Sequence, residues 1–169
     1  MTLAMTKAWQ EGAGAVVCAS TGNTAASAAA YAARAGLRCY VFLPQGAVAL
    51  GKLSQAIIYG AKVVQVKGNF DVCLALVREA AKEFGLTMVN STNPYRLEGQ
   101  KTAAFEICEE LGFFPTHQFM PVGNAGNITA YWRGYREWNS LIRSSPKSKV
   151  ASAPLAHQVP QALRTAQSP

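Results

Sequence analysis

The chain has 169 residues, half of them hydrophobic and 15% charged, with 14 glycines and a formal net charge of +7. That balance fits one globular domain and excludes disordered, collagen-like and coiled-coil chains. No apolar run reaches the roughly 18 residues of a membrane span, and the opening stretch, with Lys7 and Glu11, has no secretory apolar core or cleavage site.

Four cysteines, Cys18, Cys39, Cys73 and Cys108, lie far apart, with no CxxC and no nearby histidine pair. Neither a disulfide framework nor a metal site is expected, and a reducing cytoplasm is the expected setting. The positive charge divides unevenly. Residues 1–138 hold 12 Lys/Arg against all 9 Asp/Glu, whereas residues 139–169 hold 4 Lys/Arg and no acid. All 14 glycines precede residue 139, and the last 31 residues contain 6 Ser, 4 Pro and 5 Ala. The chain reads as a domain over 1–138 and a basic, low-complexity, disordered tail over 139–169. With the excess charge mostly in the tail and no basic-aromatic surface pattern, no nucleic-acid partner is expected.

From residue 15 onward two kinds of segment alternate. Short, partly β-branched apolar runs predict strands over 15–20, 39–43, 62–66, 87–91 and 118–122. The first four start about 24 residues apart, room for a strand, a helix and two short loops. Between them, residues 24–35 carry 8 Ala in 12, a helix able to lie close to a sheet. Phe70, Leu74, Val77, Ala81 and Phe84 form one helical face. Gly36, Gly60 and Gly85 are expected helix C-caps. Short, continuously apolar strands alternating with helices predict an α/β fold, an open and mostly parallel sheet with helices on both faces.

Ligands of such sheets bind at the carboxyl ends of the strands, where helix N-termini present free N–H groups. Three polar loops are expected there. They are Ser20-Thr21-Gly22-Asn23-Thr24, Asn90-Ser91-Thr92-Asn93-Pro94-Tyr95-Arg96, and Gly123-Asn124-Ala125-Gly126-Asn127, the last before a helix beginning near Ile128. Gly123 and Gly126 allow backbone to approach a phosphate, and Arg96 can offer an anion a bidentate contact. Neither G-x-G-x-x-G nor G-x-x-x-x-G-K-[ST] is present.

The runs ASTGNTAASAAAYAARAG, LGKLSQAIIYGAKVVQVKGNFD, NSTNPYRLEGQKTAAFEI and PVGNAGNITAYW resemble threonine synthase, a pyridoxal-phosphate enzyme family of the tryptophan-synthase-β fold type (fold type II). The resemblance covers residues 1 to about 138, and GNAGN together with N-S-x-N-P-x-R separates this family from related dehydratases and cysteine synthases. It implies pyridoxal 5′-phosphate as cofactor and conversion of O-phospho-L-homoserine and water to L-threonine and phosphate. It implies that Asn23 meets the O3′ of the cofactor ring and that the backbone of Gly123, Asn124, Ala125, Gly126 and Asn127 holds the cofactor phosphate. Ser20, Thr21 and Thr24 would receive the substrate. Asn90, Ser91, Arg96, Thr24 and the Asn124 side chain would bind its phosphate.

The family's lysine that carries the cofactor covalently lies upstream of the segment resembling Met1 onward, so no catalytic residue is assigned here. Lys7, Lys52 and Lys101 match other family positions, and Lys101 is expected to be structural. The resemblance thus implies an inactive fragment truncated at both ends, whose intact counterpart is a homodimer. Two other readings stay open: a non-catalytic module binding a phosphorylated metabolite or the cofactor, and another fold-type II lyase such as a threonine/serine dehydratase.

Overall fold

In the computed structural model, residues 1–46, 50–123 and 125–144 are described. They fall into two compact units, Met1–Arg96 and the residues from Leu97 onward. The first unit is built on a four-stranded parallel sheet of β1 (Ala15–Ala19), β2 (Arg38–Pro44), β3 (Lys62–Val66) and β4 (Thr87–Met88), in the order β3-β2-β1-β4. Its helices are α1 (Thr2–Gln10), α2 (Asn23–Arg34), α3 (Leu50–Ile58) and α4 (Phe70–Glu83).

Alternation along the strands gives the sheet two covered faces. Val16, Cys18, Cys39, Val41 and Leu43 pack with Ala4, Met5 and Ala8 of α1, with Ala25, Ala28, Ala29 and Ala32 of α2, and with Ala56 of α3. Val17, Ala19 and Val66 point the other way, onto Cys73 and Val77 of α4. All five residues of β1 are buried, as a central parallel strand requires. The left-handed backbones of Gly36, Gly60 and Gly85, with φ of 68, 78 and 61°, end the three helices expected to stop there.

The structure departs from the sequence expectations in several places. α1 was not foreseen; its apolar stripe is Ala4, Met5 and Ala8, too small to stand out in composition. In α4 the buried stripe is centred on Cys73 and Val77, with Leu74 and Ala81 beside it, while Phe70 and Phe84 stay 45% and 66% exposed at the two ends of the helix. β4 is two residues long instead of five. Residues 118–122 form no strand: the segment makes no β-ladder, and Phe119 is 93% exposed. Alternating apolar residues become a strand only where another strand accepts their backbone groups.

The second unit centres on α6 (Thr102–Leu111) and α7 (Gly126–Ser144), with α5 (Pro94–Gln100) leading into it. Ala104, Cys108, Phe114 and Tyr135 form its core, flanked by Tyr131, Trp138 and Ile142. Those last residues explain why α7 runs to Ser144, past the expected boundary at 138. Tyr131, Tyr135, Trp138 and Ile142 keep one helical face across the composition break, a period invisible when counting begins at Asn139. The rest of the expected tail, 145–169, lies outside the described residues.

α6 and α7 touch closely at Gly134, where a Cβ would strike the Lys101 carbonyl and sit 2.7 Å from the Ala104 Cβ. Gly134→Ala should therefore lower the stability of this unit by about 1–3 kcal/mol, the usual cost of overpacking, read as a shifted urea midpoint. The four cysteines are free and buried. Burial pushes the Cys18 thiol up to about 12, aided by neighbouring Cys39, and the Cys39 thiol up to about 11. All four thiols should resist Ellman's reagent at pH 8 until denaturant is added. Fast labelling of Cys18 in the native protein would contradict the packing described.

Candidate functional site

The sheet order reverses at β1. The chain steps from β1 to β2 to β3 on one side, then returns to place β4 on the other. At such a switch point the loops leaving neighbouring strands diverge and open a crevice at the carboxyl edge. By that rule the place for a ligand is between the loop after β1 and the loop after β4, where Ser20, Thr21, Asn23 and Thr24 share one edge with Asn90, Ser91 and Arg96.

The first loop is shaped by Ser20. Its N–H donates to the Phe42 carbonyl, extending the β1–β2 ladder by one bond. Its Oγ accepts from the N–H groups of Gly22 and Ala25, both at 3.2 Å. This hydroxyl thus serves the start of α2, where the cap residue, Gly22, has no side chain to offer. Thr21 and Thr24 are half-buried, and Asn23 is exposed at the first position of α2.

The second loop replaces backbone bonds with side chains at three-residue spacing. Asn93 Nδ2 donates to the Met88 carbonyl at 2.9 Å, and Asn93 Oδ1 accepts from the Tyr95 N–H at 2.9 Å. Asn93 thereby caps α5, whose first residue, Pro94, needs no N–H partner. Arg96 Nη1 donates to the Val89 carbonyl at 3.3 Å and to Thr24 Oγ1 at 3.5 Å. Asn90 is 6% exposed; its Nδ2 donates to the Ala19 carbonyl at 2.8 Å and its Oδ1 accepts from the Ala19 N–H at 3.1 Å. The side chain expected to face a ligand instead holds the ends of β1 and β4 together.

Arg96 is the electrostatic centre of the crevice. Burial draws its pKa below the usual arginine value, partly opposed by Cys18, yet a guanidinium remains charged. Among the described residues no carboxylate pairs with it, and its buried Nε has no hydrogen-bond partner. A half-buried cation with an orphaned N–H is an incomplete arrangement that an anion would complete.

Farther along the same edge, Thr21, Pro44, Gln45, Gly46, Gly68, Asn69 and Phe70 line an open cleft of about 730 Å³. Asn69 caps α4 by accepting from the Val72 N–H at 3.1 Å. The sequence analysis gave no role to Gln45 or Asn69 and placed Asn93 in the second loop without its cap; for the two asparagines the available signal was an Asn immediately before a helical pattern.

Within the second unit, Gly123, Ala125, Gly126 and Asn127 lie at the start of the 19-residue α7, and Asn124 falls outside the described residues. Ala125 is left-handed, with φ of 58°. That conformation costs a residue with a Cβ of order 1 kcal/mol and concentrates at ligand sites. Backbone held this way before a long helix fits a phosphate group. The Asn127 Oδ1 is already occupied, accepting from Gln100 Nε2 at 2.6 Å.

Lys101 lies between two carboxylates, 2.5 Å from Glu98 and 2.7 Å from Glu137. Hydrogen bonds to Glu137 and Glu98 raise its pKa, so its amine stays an ammonium. This is the setting of a structural lysine, not of a nucleophile.

Asn93→Ala would strip a cap and a strand-end bond together. A loss of about 1–2 kcal/mol is expected, visible as faster amide exchange at Tyr95 with little change in the centre of β1. Unchanged exchange at Tyr95 would argue against the cap.

Comparison with known proteins accords with this architecture. A family model described as pyridoxal-phosphate dependent enzyme matches residues 1–167, beyond residue 138 where the resemblance read from the residues ended. A threonine synthase of Halalkalibacterium halodurans is 59% identical over 139 residues, 82% of this chain and 39% of that protein. One from Mycobacterium bovis is 61% identical over 142 residues, 83% of this chain and 39% of that protein. The chain thus spans about two fifths of the length of these curated relatives. The processed form of threonine deaminase isoform 2 from Solanum lycopersicum superposes with a TM-score of 0.65 at 21% identity, over 88% of this chain and 44% of that one, a likeness of fold. The chain belongs to the pyridoxal-phosphate dependent enzyme family.

Proposed function

We propose that this chain is the part of a threonine synthase that binds the phosphate of its substrate and helps to hold the cofactor. The protein that carries it converts O-phospho-L-homoserine and water to L-threonine and phosphate. The observation behind this reading is Arg96, a half-buried guanidinium that among the described residues has no carboxylate partner and no acceptor for its Nε, at the sheet's switch point. A dianionic phosphate ester supplies the missing acceptor and the missing charge. Thr24, already in contact with the guanidinium, and Ser91 in the adjoining loop complete the polar wall. Ser20 and Thr21 lie nearer the amino-acid end of the substrate.

The cofactor supplies electron withdrawal from the substrate's α carbon. The backbone of Gly123, Ala125, Gly126 and Asn127, with Asn124 between them, would hold its phosphate. The division follows from chemistry. Backbone donors at a helix start suit a phosphate that must stay fixed, whereas side-chain donors around a full charge suit one that leaves.

The test is a chimera in which the 139 matching residues of this chain replace their counterparts in the Halalkalibacterium halodurans enzyme. A charged hydrogen bond is worth about 1.5–3 kcal/mol, so Arg96→Ala should raise KM for O-phospho-L-homoserine about 10- to 150-fold. Cofactor affinity, followed by its absorbance, should barely change. Loss of cofactor with KM intact would mean that the two phosphate pockets are assigned the wrong way round.

A further inference from the structure

The end of β4 is built in an unusual way. In a parallel pair every second residue of one strand bonds two residues of its neighbour, donating to one and accepting from the next but one. Val89 begins this pattern, its N–H donating to the Val17 carbonyl at 3.0 Å. The continuing bond would run from the Ala19 N–H to the Val89 carbonyl. It does not form. The Ala19 N–H goes to Asn90 Oδ1 at 3.1 Å, and Asn90 Nδ2 returns to the Ala19 carbonyl at 2.8 Å. The Val89 carbonyl, released from the ladder, accepts instead from Arg96 Nη1 at 3.3 Å.

We propose that Asn90 is a positioning residue: its carboxamide takes over the last β1–β4 bond and so hands the Val89 carbonyl to Arg96. The inference deepens the phosphate-binding reading of Arg96 and rests on it for its functional meaning. It assigns Asn90 a different part from direct contact with the substrate phosphate. Two observations support it. Asn90 is nearly enclosed, and both ends of its amide are engaged by one residue, Ala19. The guanidinium, by contrast, keeps its Nε without a partner. Fixing one nitrogen on a carbonyl orients the planar fork and leaves its other donors for an anion. Thr24 Oγ1, 3.5 Å from the same Nη1, limits rotation from the other side.

The experiment uses the whole 169-residue chain, labelled with ¹⁵N and ¹³C and free of ligand. A through-bond coupling should connect the Ala19 nitrogen with the Asn90 side-chain carbonyl carbon. A coupling from Ala19 to the Val89 carbonyl would overturn the proposal without any variant being needed. In Asn90→Leu the Ala19 N–H should pass to the Val89 carbonyl and release Arg96. Solvent exchange of the Arg96 Nη1 protons should then quicken by about tenfold, as expected when one charged hydrogen bond is lost, while amides at the centre of β2 keep their protection. An unchanged Arg96 signal in folded Asn90→Leu would also overturn it.

A double-mutant cycle then separates positioning from contact, with O-phospho-L-homoserine as the titrated probe. Asn90→Leu in the Arg96→Ala background should weaken binding less than about twofold, because both changes remove one coupled effect. Additive losses would show that Asn90 contacts the phosphate itself and would overturn the proposal. If Arg96→Ala leaves binding unaltered, the substrate reading fails, and the ligand-free measurements still decide the role of Asn90.

Discussion

The amide pair between Asn90 and Ala19 is the constraint on which the crevice depends. A buried carboxamide left without partners would cost about 1–3 kcal/mol. Here one residue, Ala19, satisfies it from both sides, through its N–H and its carbonyl, so the bond locks as well as stabilises. β1 and β4 share few backbone bonds because β4 is only two residues long. Without a side-chain clasp at the open end, the two loops would leave the sheet from a loosely defined point. With it, Ser20 and Arg96 start from fixed positions although they lie far apart in sequence.

The two basic residues that the resemblance made prominent differ sharply in surroundings. Lys101 lies between Glu98 and Glu137, and Arg133 lies 3.2 Å from Glu98, so this cluster balances itself. Its contribution is helix-to-helix attachment, largely screened by solvent. Arg96 lacks such balance, and its burial makes the imbalance costly. Charge that a fold leaves uncompensated is the better guide to a ligand than charge as such. Total charge would have pointed to the chain's last 31 residues, which hold four cations and no acid.

Much of this was legible before any coordinates. The regular spacing of apolar runs marked four strands, and glycines marked three helix ends, because both signals are local. The 118–122 segment misled for the opposite reason, since strand formation depends on a neighbour that no local pattern can report. The two loops of the first unit were placed on the correct edge, because a parallel sheet leaves little choice of where its loops emerge. The hydrogen-bond exchange among Ala19, Val89, Asn90 and Arg96 was not legible. The resemblance implied Asn90 and Arg96 as two ligands of one phosphate; their mechanical relation appears only when the register of β1 against β4 is known. Likewise the fourth expected strand ended early because side chains had replaced its last backbone bonds.

The alanine face of α2 has a consequence of its own. Ala25, Ala28, Ala29 and Ala32 meet the sheet with single methyl groups, all nearly inaccessible. On the helix side nothing in that contact can change rotamer, so α2 behaves as a rigid spacer. A helix is stiff along its length, and Ala32 lies roughly 13 Å from Asn23 at 1.5 Å per residue. Any bulk added near Ala32 therefore acts as a lever, tilting the rod and displacing its opposite end beside Ser20 and Thr24. The crevice is thus exposed to mutation at a distance, through sites that carry no polar atom and touch no ligand.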